Sequence, residues 1–290
     1  MLESFGCKLF NEFHLRQGSY FNSSSFPDEL RNSWIDSYPK QSNRSKKIKS
    51  SSVLVLITQD CDIACERDTL ESSIELLVCK KIREKDVFRG NQFVKSVRKL
   101  HFSLEDKYYE ANSDYIMTVS KEMFFEALLN QNVEYIPNNV PDDILESFKI
   151  WRTNRYSRTA LPNNFNNNLK PVVDEFVPKL IESSLDGSSD SFIRAIYVRL
   201  NSMNELESYN FSFFALLRSN TPDETLSNIQ DEMEAMCDRL SQESGYTDES
   251  DIYVGRDSDT LVSALTSYVR FNVDSHSLEN GDYELGPQYL

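Results

Sequence analysis

The sequence lacks the features that direct a chain into or across a membrane. None of its apolar runs reaches the roughly 18 residues that a membrane-spanning helix requires. The first residues, MLESFGCKLFNEF, do not combine a basic segment with a following apolar one, so we expect no secretory signal. Five cysteines, an odd number scattered over 290 residues, fit a reducing compartment better than a disulfide framework. We therefore expect a cytoplasmic protein.

The common catalytic and cofactor motifs are also missing. Glycine is scarce, at 8 residues, and no glycine-rich phosphate loop, G-x-S-x-G or H-E-x-x-H pattern occurs. Cys61 and Cys65 lie near each other, but no second Cys or His pair accompanies them at the spacing of a structural zinc site. We therefore predict no cofactor and no zinc, and we keep a divalent cation held by carboxylates as an alternative.

Basic residues are scarce in one part of the chain. The whole sequence has a formal net charge of −15, from 31 Lys+Arg and 46 Asp+Glu. Residues 171–290 hold 7 of the basic and 23 of the acidic residues, which leaves 24 and 23 for residues 1–170. An acidic region is usually a solvated surface, but it can also bind a basic partner. We expect a protein partner to bind residues 171–290 and phosphate groups to contact the first 170 residues.

The spacing of the apolar residues predicts an α+β fold. From residue 121 they recur at i, i+3 and i+4, which predicts helices at 121–132 and 141–158. We therefore expect a β-rich, SH3-like barrel-type domain over residues 1–120 and a helical segment over 121–168. Period-two patterns and β-branched runs predict the strands of the first domain, at 53–58, 73–82, 92–104 and 108–120.

The remaining residues, 169–290, are expected to form an acidic α+β sandwich domain. Their pattern is helix, strand, strand, helix, strand, strand, which is typical of helices on one face of an antiparallel sheet. The clearest helix covers 221–244. The strands are expected at 192–200, 209–219, 251–259 and 265–275.

Two N-terminal segments precede the first confident strand. Residues 7–22 predict a short strand with a turn at Gly18. Residues 22–52 are polar, with serine-rich and basic pieces, and predict a partly mobile surface loop.

The first candidate site lies where the strand 53–58 ends, in the sequence LITQDCDIAC. On a continuing strand the carboxylates of Asp60 and Asp62 would share one face, where they could bind a divalent cation or act as a base near a phosphate. Flanking carboxylates raise the pKa of Cys61, which argues against a thiolate nucleophile. We take Asp60, Asp62 and His101 as the catalytic candidates. The alternative is that the two acids cap turns and Cys61 packs as a small apolar side chain.

The second candidate site is the sequence KIWRTNRYSRTALP, which contains no acidic residue. Arg152, Arg155 and Arg158 recur every three residues, so on a helix they form one basic stripe, with Tyr156 beside them. Guanidinium groups bind phosphate and aromatic rings stack on bases, so the stripe predicts a site for a nucleotide or nucleic acid. The alternative places Trp151 in the core and leaves the arginines as a solvated face paired with acids.

A third basic segment, FVKSVRKLHF, ends close to His101. We add Arg98 to the phosphate-binding candidates, whereas Lys95 and Lys99 lie on the alternate side of the predicted strand, together with His101. Charge runs of this kind are usually solvated faces, so this segment is not diagnostic.

The order of elements in residues 15–105 resembles that of a toxin family. The pieces RQGSYFN, a polar basic loop, VLVLITQDCDI and IELLVCKKI are similar to the strand, long loop, strand, strand opening of the PemK/MazF-like toxins. This resemblance implies a small SH3-like barrel at the start of the chain and a toxin-type function.

A second resemblance covers about residues 15–168. The signatures LITQDCDI, VRKLHF and WRTNRYSRTALPNNFN are similar to those of a group of bacterial proteins with no established activity. Members of the group look like components of mobile-element or phage-defence loci. The resemblance implies a shared role for Gln59, Asp60, Asp62, Arg98, Arg155 and Arg158.

Two functions of different classes follow from these observations. The first is a bacterial antiviral-defence or toxin-type protein that acts on nucleic acid or a nucleotide. Its acids would serve as base or metal ligands, and its arginines would hold phosphate and stabilise developing charge. The alternative is a non-catalytic subunit of a defence or anti-defence complex that docks through its acidic C-terminal half. Carboxylates and arginines would then form internal salt bridges.

Overall fold

The computed structural model describes most of the chain and divides it into two compact units. The N-terminal unit comprises Met1–Val87 and Arg98–Lys149, and the C-terminal unit comprises Phe88–Val97 and Ile150–Leu290. The division falls within one helix, inside the segment predicted to be helical. None of the described helices is long and apolar enough to span a bilayer. The described residues are 4–87, 98–130, 138–157, 160–187, 191–247, 251–271, 274–277 and 281–284.

The N-terminal unit combines a large sheet with short helices. Its strands are β1 (Ser19–Asn22), β2 (Val53–Leu56), β3 (Ser73–Ile82), β4 (Lys99–Leu104), β5 (Lys107–Ser120) and β6 (Asn138–Asn139). Its helices are α1 (Phe5–Asn11), α2 (Asp28–Ser33), α3 (Asp60–Ile63), α4 (Lys121–Asn130) and the first part of α5 (Asp142–Ser157). Single 3-10 turns lie at Ser23–Ser25, Trp34–Ser37, Gln41–Asn43 and Glu84–Asp86.

The six strands form one antiparallel sheet in the order β4-β5-β3-β2-β1-β6, curled into a half-barrel. All four residues of β2 are buried, as its unbroken apolar run predicts for a strand covered on both faces. The predictions of β2, β3 and β5 are therefore confirmed, with β2 two residues shorter than expected. The predicted strand 92–104 is described only from Arg98 onward, and β4 begins at Lys99.

The prediction of a surface loop over 22–52 was wrong. The segment contains α2 and three 3-10 turns. It contributes large apolar side chains to the core of the unit because aromatic and Ile residues are spaced between its polar ones. The buried Arg31 side chain donates hydrogen bonds to three backbone carbonyls of the segment, which fixes its path. The buried apolar residues are Phe26, Trp34, Ile35, Tyr38 and Ile48.

The strand predicted over 7–22 is replaced by a helix and a short strand. Residues Phe5–Asn11 form α1, whose first turn is capped by the side chain of Ser4. The turn at Gly18 is confirmed, because Gly18 has a φ of 92°, in the region that favours glycine. Its N–H donates to the carbonyl of Leu56 at 2.7 Å, so the turn lies against the end of β2.

The C-terminal unit is a sheet with two long helices. Its strands are β7 (Ile193–Leu200), β8 (Phe211–Leu217), β9 (Asp251–Arg256), β10 (Val269–Phe271), β11 (Asp274–Ser277) and β12 (Gly281–Glu284). Its helices are the end of α5, α6 (Asn163–Asn167), α7 (Leu169–Ser183), α8 (Asp223–Ser241) and α9 (Val262–Leu265). The strand order of the main sheet is β10-β7-β8-β9, and β11 pairs with β12 separately.

This sheet is mixed, so the prediction of an antiparallel sheet for this region was wrong in one strand pair. β8 and β9 run parallel, and α8 connects them. Parallel neighbours need a crossover of a dozen or more residues, which α8 supplies with 19. The apolar sides of α7 and α8 pack on one face of the sheet and bury Phe213, Val198 and Met233 completely. The α+β fold class is confirmed.

Candidate functional site

The sequence TQDCDI does not continue β2 but forms the four-residue helix α3 (Asp60–Ile63). Successive residues of a helix are rotated by about 100°, so the side chains of Asp60 and Asp62 leave the helix in directions about 160° apart. The expectation that their carboxylates share one face was therefore wrong. Gln59 begins the helix, because its carbonyl accepts hydrogen bonds from the N–H groups of Asp62 and Ile63 at 3.0 and 2.9 Å.

Asp60 connects α3 to the turn before β1. Its Oδ1 accepts a hydrogen bond from the backbone N–H of Gln17 at 2.7 Å. The side-chain amide of Gln17 in turn donates to the carbonyl of Ile57 at 3.0 Å. Asp60 is exposed, and its carboxylate holds this turn through Oδ1.

Cys61 is exposed, so the alternative in which it packs as an apolar side chain was wrong. Its Sγ lies 3.3 Å from Oδ1 of Asp62, to which the thiol donates. This hydrogen bond is the main reason that the pKa of the Cys61 thiol is raised, and desolvation and the negative charge of Asp62 raise it further. The direction agrees with the expectation, and a thiol in this state is a poor nucleophile at neutral pH.

The sequence did not reveal the residue that fixes α3, which is Lys121 at the start of α4. The side chain of Lys121 is buried, and its Nζ donates to the carbonyl of Asp62 at 2.7 Å. A buried ammonium group requires such partners, because unpaired it would destabilise the fold. On the same side, a Cβ on Gly6 of α1 would lie only 2.6 Å from the carbonyl oxygens of Ile63 and Cys65. The helix α3 is thus held by contacts with α1 and α4, while Asp60 and Cys61 stay exposed.

His101 lies on β4 and is directed to a neighbour in the sheet. Its Nε2 is 3.3 Å from Oε2 of Glu110, its register partner on β5, and only 4% of its side chain is exposed. The hydrogen bond from His101, with the charges of Lys99 and Lys80, lowers the pKa of Glu110 despite its burial. In the sheet order, β5 and β3 lie between β4 and β2. The structure therefore places His101 beside Glu110 of β5, and not on the strand that leads into α3.

Arg98, the phosphate-binding candidate of this region, precedes β4. Its backbone carbonyl accepts a hydrogen bond from the N–H of Ser113 at 2.9 Å, which extends the pairing with β5 by one residue. Arg98 is half-buried and makes further interactions through its side chain or backbone.

The basic stripe lies on the last two turns of α5, as its periodicity predicts. Trp151 is buried at 3% exposure, as the alternative interpretation of this segment expects. Arg152 and Arg155 are half-buried, and Tyr156 is 78% exposed. Arg152 precedes Tyr156 by one helical turn, so these side chains occupy neighbouring positions. Arg158 lies outside the described residues.

Known proteins give no further assignment of these residues. No family model, no curated protein and no solved structure matches the chain. Within the described ranges, no three His, Cys, Asp or Glu side chains are grouped so that they could hold a metal ion. The α+β architecture is therefore the class that the structure establishes, and the proposals below rest on the geometry of the described residues.

Proposed function

We propose that the protein binds single-stranded nucleic acid, or a nucleotide, through the C-terminal end of α5. The observation that supports this is the exposure of Tyr156, at 78%, beside two half-buried arginines. An exposed aromatic ring costs hydrophobic free energy in a protein that exists alone, whereas it can stack on a base in a complex. Arg152 and Arg155 supply guanidinium groups for the neighbouring phosphates.

The defence- or toxin-type setting and the catalytic role of Asp60 and Asp62 stay predictions. Asp60 and Asp62 belong to the N-terminal unit, whereas Arg152 and Arg155 belong to the C-terminal unit. Both acids already have structural contacts, to Gln17 and Cys61 respectively, and these contacts are compatible with a purely structural role. Binding through α5 does not require either carboxylate to react.

Replacing Tyr156 by alanine is expected to weaken binding of a ten-nucleotide single strand by roughly 5- to 150-fold, because one stacked base contributes about 1–3 kcal/mol. Arg155→Ala is expected to reduce the slope of log affinity against log salt by about 0.7, the value for one phosphate contact on a single strand. Fluorescence anisotropy of a labelled oligonucleotide, titrated at several salt concentrations, measures both quantities.

The matched control for charge is Arg83→Ala. Arg83 is exposed in the N-terminal unit and pairs with Asp86, so its loss removes one positive charge from the other unit of the protein. Its affinity and salt slope should equal those of the wild type. If Tyr156→Ala and Arg155→Ala also had the affinity and salt slope of the wild type, the proposal that α5 binds nucleic acid would be contradicted.

A second function is supported by a different observation, the acidic outer side of α8. The helix contains six acidic residues and one basic residue, Arg239, which pairs with Glu243. Its other side is buried against the sheet, so the acids Asp231, Glu234 and Asp238 all lie exposed on one surface. This supports the alternative of a subunit that docks on a basic partner protein.

Neutralising Asp231, Glu234 and Asp238 as Asn, Gln and Asn is expected to weaken binding of a lysine-rich peptide by about tenfold at low salt. Isothermal titration at two salt concentrations measures the change. The control neutralises three exposed acids of the N-terminal unit, and these are Glu66, Glu71 and Glu84. An equal loss in the control would show that only the net charge matters and would contradict a docking surface on α8.

A further inference from the structure

The main sheet of the C-terminal unit has a second face, opposite α7 and α8. Side chains alternate between the two faces of a strand, so residues adjacent to the buried ones point to this second face. On β8, Phe211 and Phe213 belong to the core with the helices, and Ser212 and Phe214 therefore lie on the second face. The same alternation applies to β7, β9 and β10.

A polar row crosses three strands of this face. Arg199 of β7 is in register with Ser212 of β8, and Ser212 is in register with Asp251 of β9. Nη2 of Arg199 donates to Oγ of Ser212 at 3.1 Å and lies 3.7 Å from Oδ2 of Asp251. The side chains of Arg199 and Asp251 are 41% and 63% exposed, so both remain open to a ligand.

An aromatic row lies beside the polar one. Tyr197, Phe214 and Tyr253 are in register across β7, β8 and β9. The rings of Phe214 and Tyr253 are nearly parallel, at 21° and 6.3 Å between centroids. Phe214 is buried, whereas Tyr253 is 48% exposed, so Phe214 supports Tyr253 from one side and leaves the other side open. On the far edge, Arg270 of β10 is opposite Tyr197.

A cavity of about 410 Å³ lies at the polar row. Its walls include Arg199, Ser212 and Asp251 together with the amide side chains of Asn201 and Asn210. A volume of this size is within the range of small-ligand sites, and the walls offer both donors and acceptors. The guanidinium group is also held over the ring of Tyr268 at 5.1 Å, which limits its rotation.

We propose that this second face binds an unstacked base of single-stranded nucleic acid. Tyr253 provides the stacking surface, and the donor of Arg199 and the acceptor of Asp251 contact the edge of the base. The bases differ in the order of donors and acceptors on their Watson–Crick edges, so a guanidinium donor and a carboxylate acceptor fixed side by side favour some bases over others. The proposal extends the single-strand binding proposed for α5 to a second contact surface, and it rests on that function.

The test compares Tyr253→Ala, Tyr253→Phe and Asp251→Ala in the whole protein, with labelled ten-nucleotide oligomers of each base. Tyr253→Ala should lose roughly 5- to 150-fold in affinity, and Tyr253→Phe should retain wild-type affinity because it keeps the ring. Asp251→Ala should change the ranking of the four oligomers, since Asp251 contacts the base edge and not the backbone. Thermal unfolding confirms that each variant is folded, and the two exposed positions provide independent tests.

The outcomes separate this proposal from the one for α5. If Tyr156→Ala weakens binding and the Tyr253 and Asp251 variants do not, the sheet face is excluded and the α5 site stands. If only the Tyr253 and Asp251 variants lose affinity or base preference, the sheet face stands and the α5 site fails. A wild-type protein that binds no single strand, or binds duplex equally well, overturns both.

Discussion

Gly6→Ala is expected to destabilise the N-terminal unit by about 2–4 kcal/mol, as overpacking against immobile atoms does. The new Cβ would lie 2.6 Å from the carbonyl oxygens of Ile63 and Cys65 and 3.0 Å from Nζ of Lys121. Two of these three neighbours are backbone atoms, and the third is a buried amine hydrogen-bonded to α3. The two backbone oxygens can move away only if α1 separates from the segment of α3.

Denaturant unfolding monitored by the fluorescence of Trp34 measures this change. The chain has two tryptophans, so a Trp151→Phe background leaves Trp34 as the single reporter of the N-terminal unit. The matched control is Asn11→Ala, at an exposed position of the same helix α1, which should change the free energy of unfolding by less than about 0.5 kcal/mol. If Gly6→Ala were no more destabilising than this control, the close contact between α1 and α3 would be contradicted.

The sequence was sufficient to predict those strands and helices whose formation is determined by their own residues and not by distant contacts. The unbroken apolar run of β2 and the alternation along β5 determine strands whatever lies around them. The helix α8 combines acids in its first turn with a buried apolar stripe, and both signals are local. Such elements, together with the change of period near residue 121, were enough to derive the α+β class.

The helix α3 could not be predicted in the same way. Four residues are too few to show a helical period, and an isolated helix of this length is unstable in water. Its conformation depends on contacts with Lys121 and Gly6, both of which are far from α3 along the chain. The candidate carboxylates were therefore assigned a strand geometry that these tertiary contacts override.

Of the two proposed binding surfaces, the sequence predicted the one on α5 but not the one on the C-terminal sheet. The basic stripe with Tyr156 is visible from its three-residue period, because α5 is long enough for the period to be expressed. The second face of the C-terminal sheet was missed, since its aromatic and polar rows only exist once β7, β8 and β9 are in register. Residues far apart in the chain, such as Arg199 and Asp251, give no joint signal in a single sequence.

The segment 22–52 is another part of the chain whose burial in the core could not be predicted from the sequence. Its serine and basic residues favour a loop, and its aromatic residues are too widely spaced to form a period. Two of them are buried against one side chain of α4, because the ring of Phe124 lies 6.0 Å from that of Phe26 and 5.9 Å from that of Trp34. The segment is therefore held by packing and by the buried Arg31, and not by its own local structure.

Phe124→Ala is accordingly expected to destabilise the N-terminal unit by about 3–5 kcal/mol, the range for a fully buried phenylalanine. Trp34 loses its neighbouring ring, so its fluorescence should shift toward that of an exposed indole, and proteases should cleave first within 22–52. Met123→Ala is the control, because Met123 is the adjacent residue of α4 and is 45% exposed, so its loss should cost less than about 1 kcal/mol. A Phe124→Ala protein as stable and as protease-resistant as the control would mean that the segment is not anchored through α4.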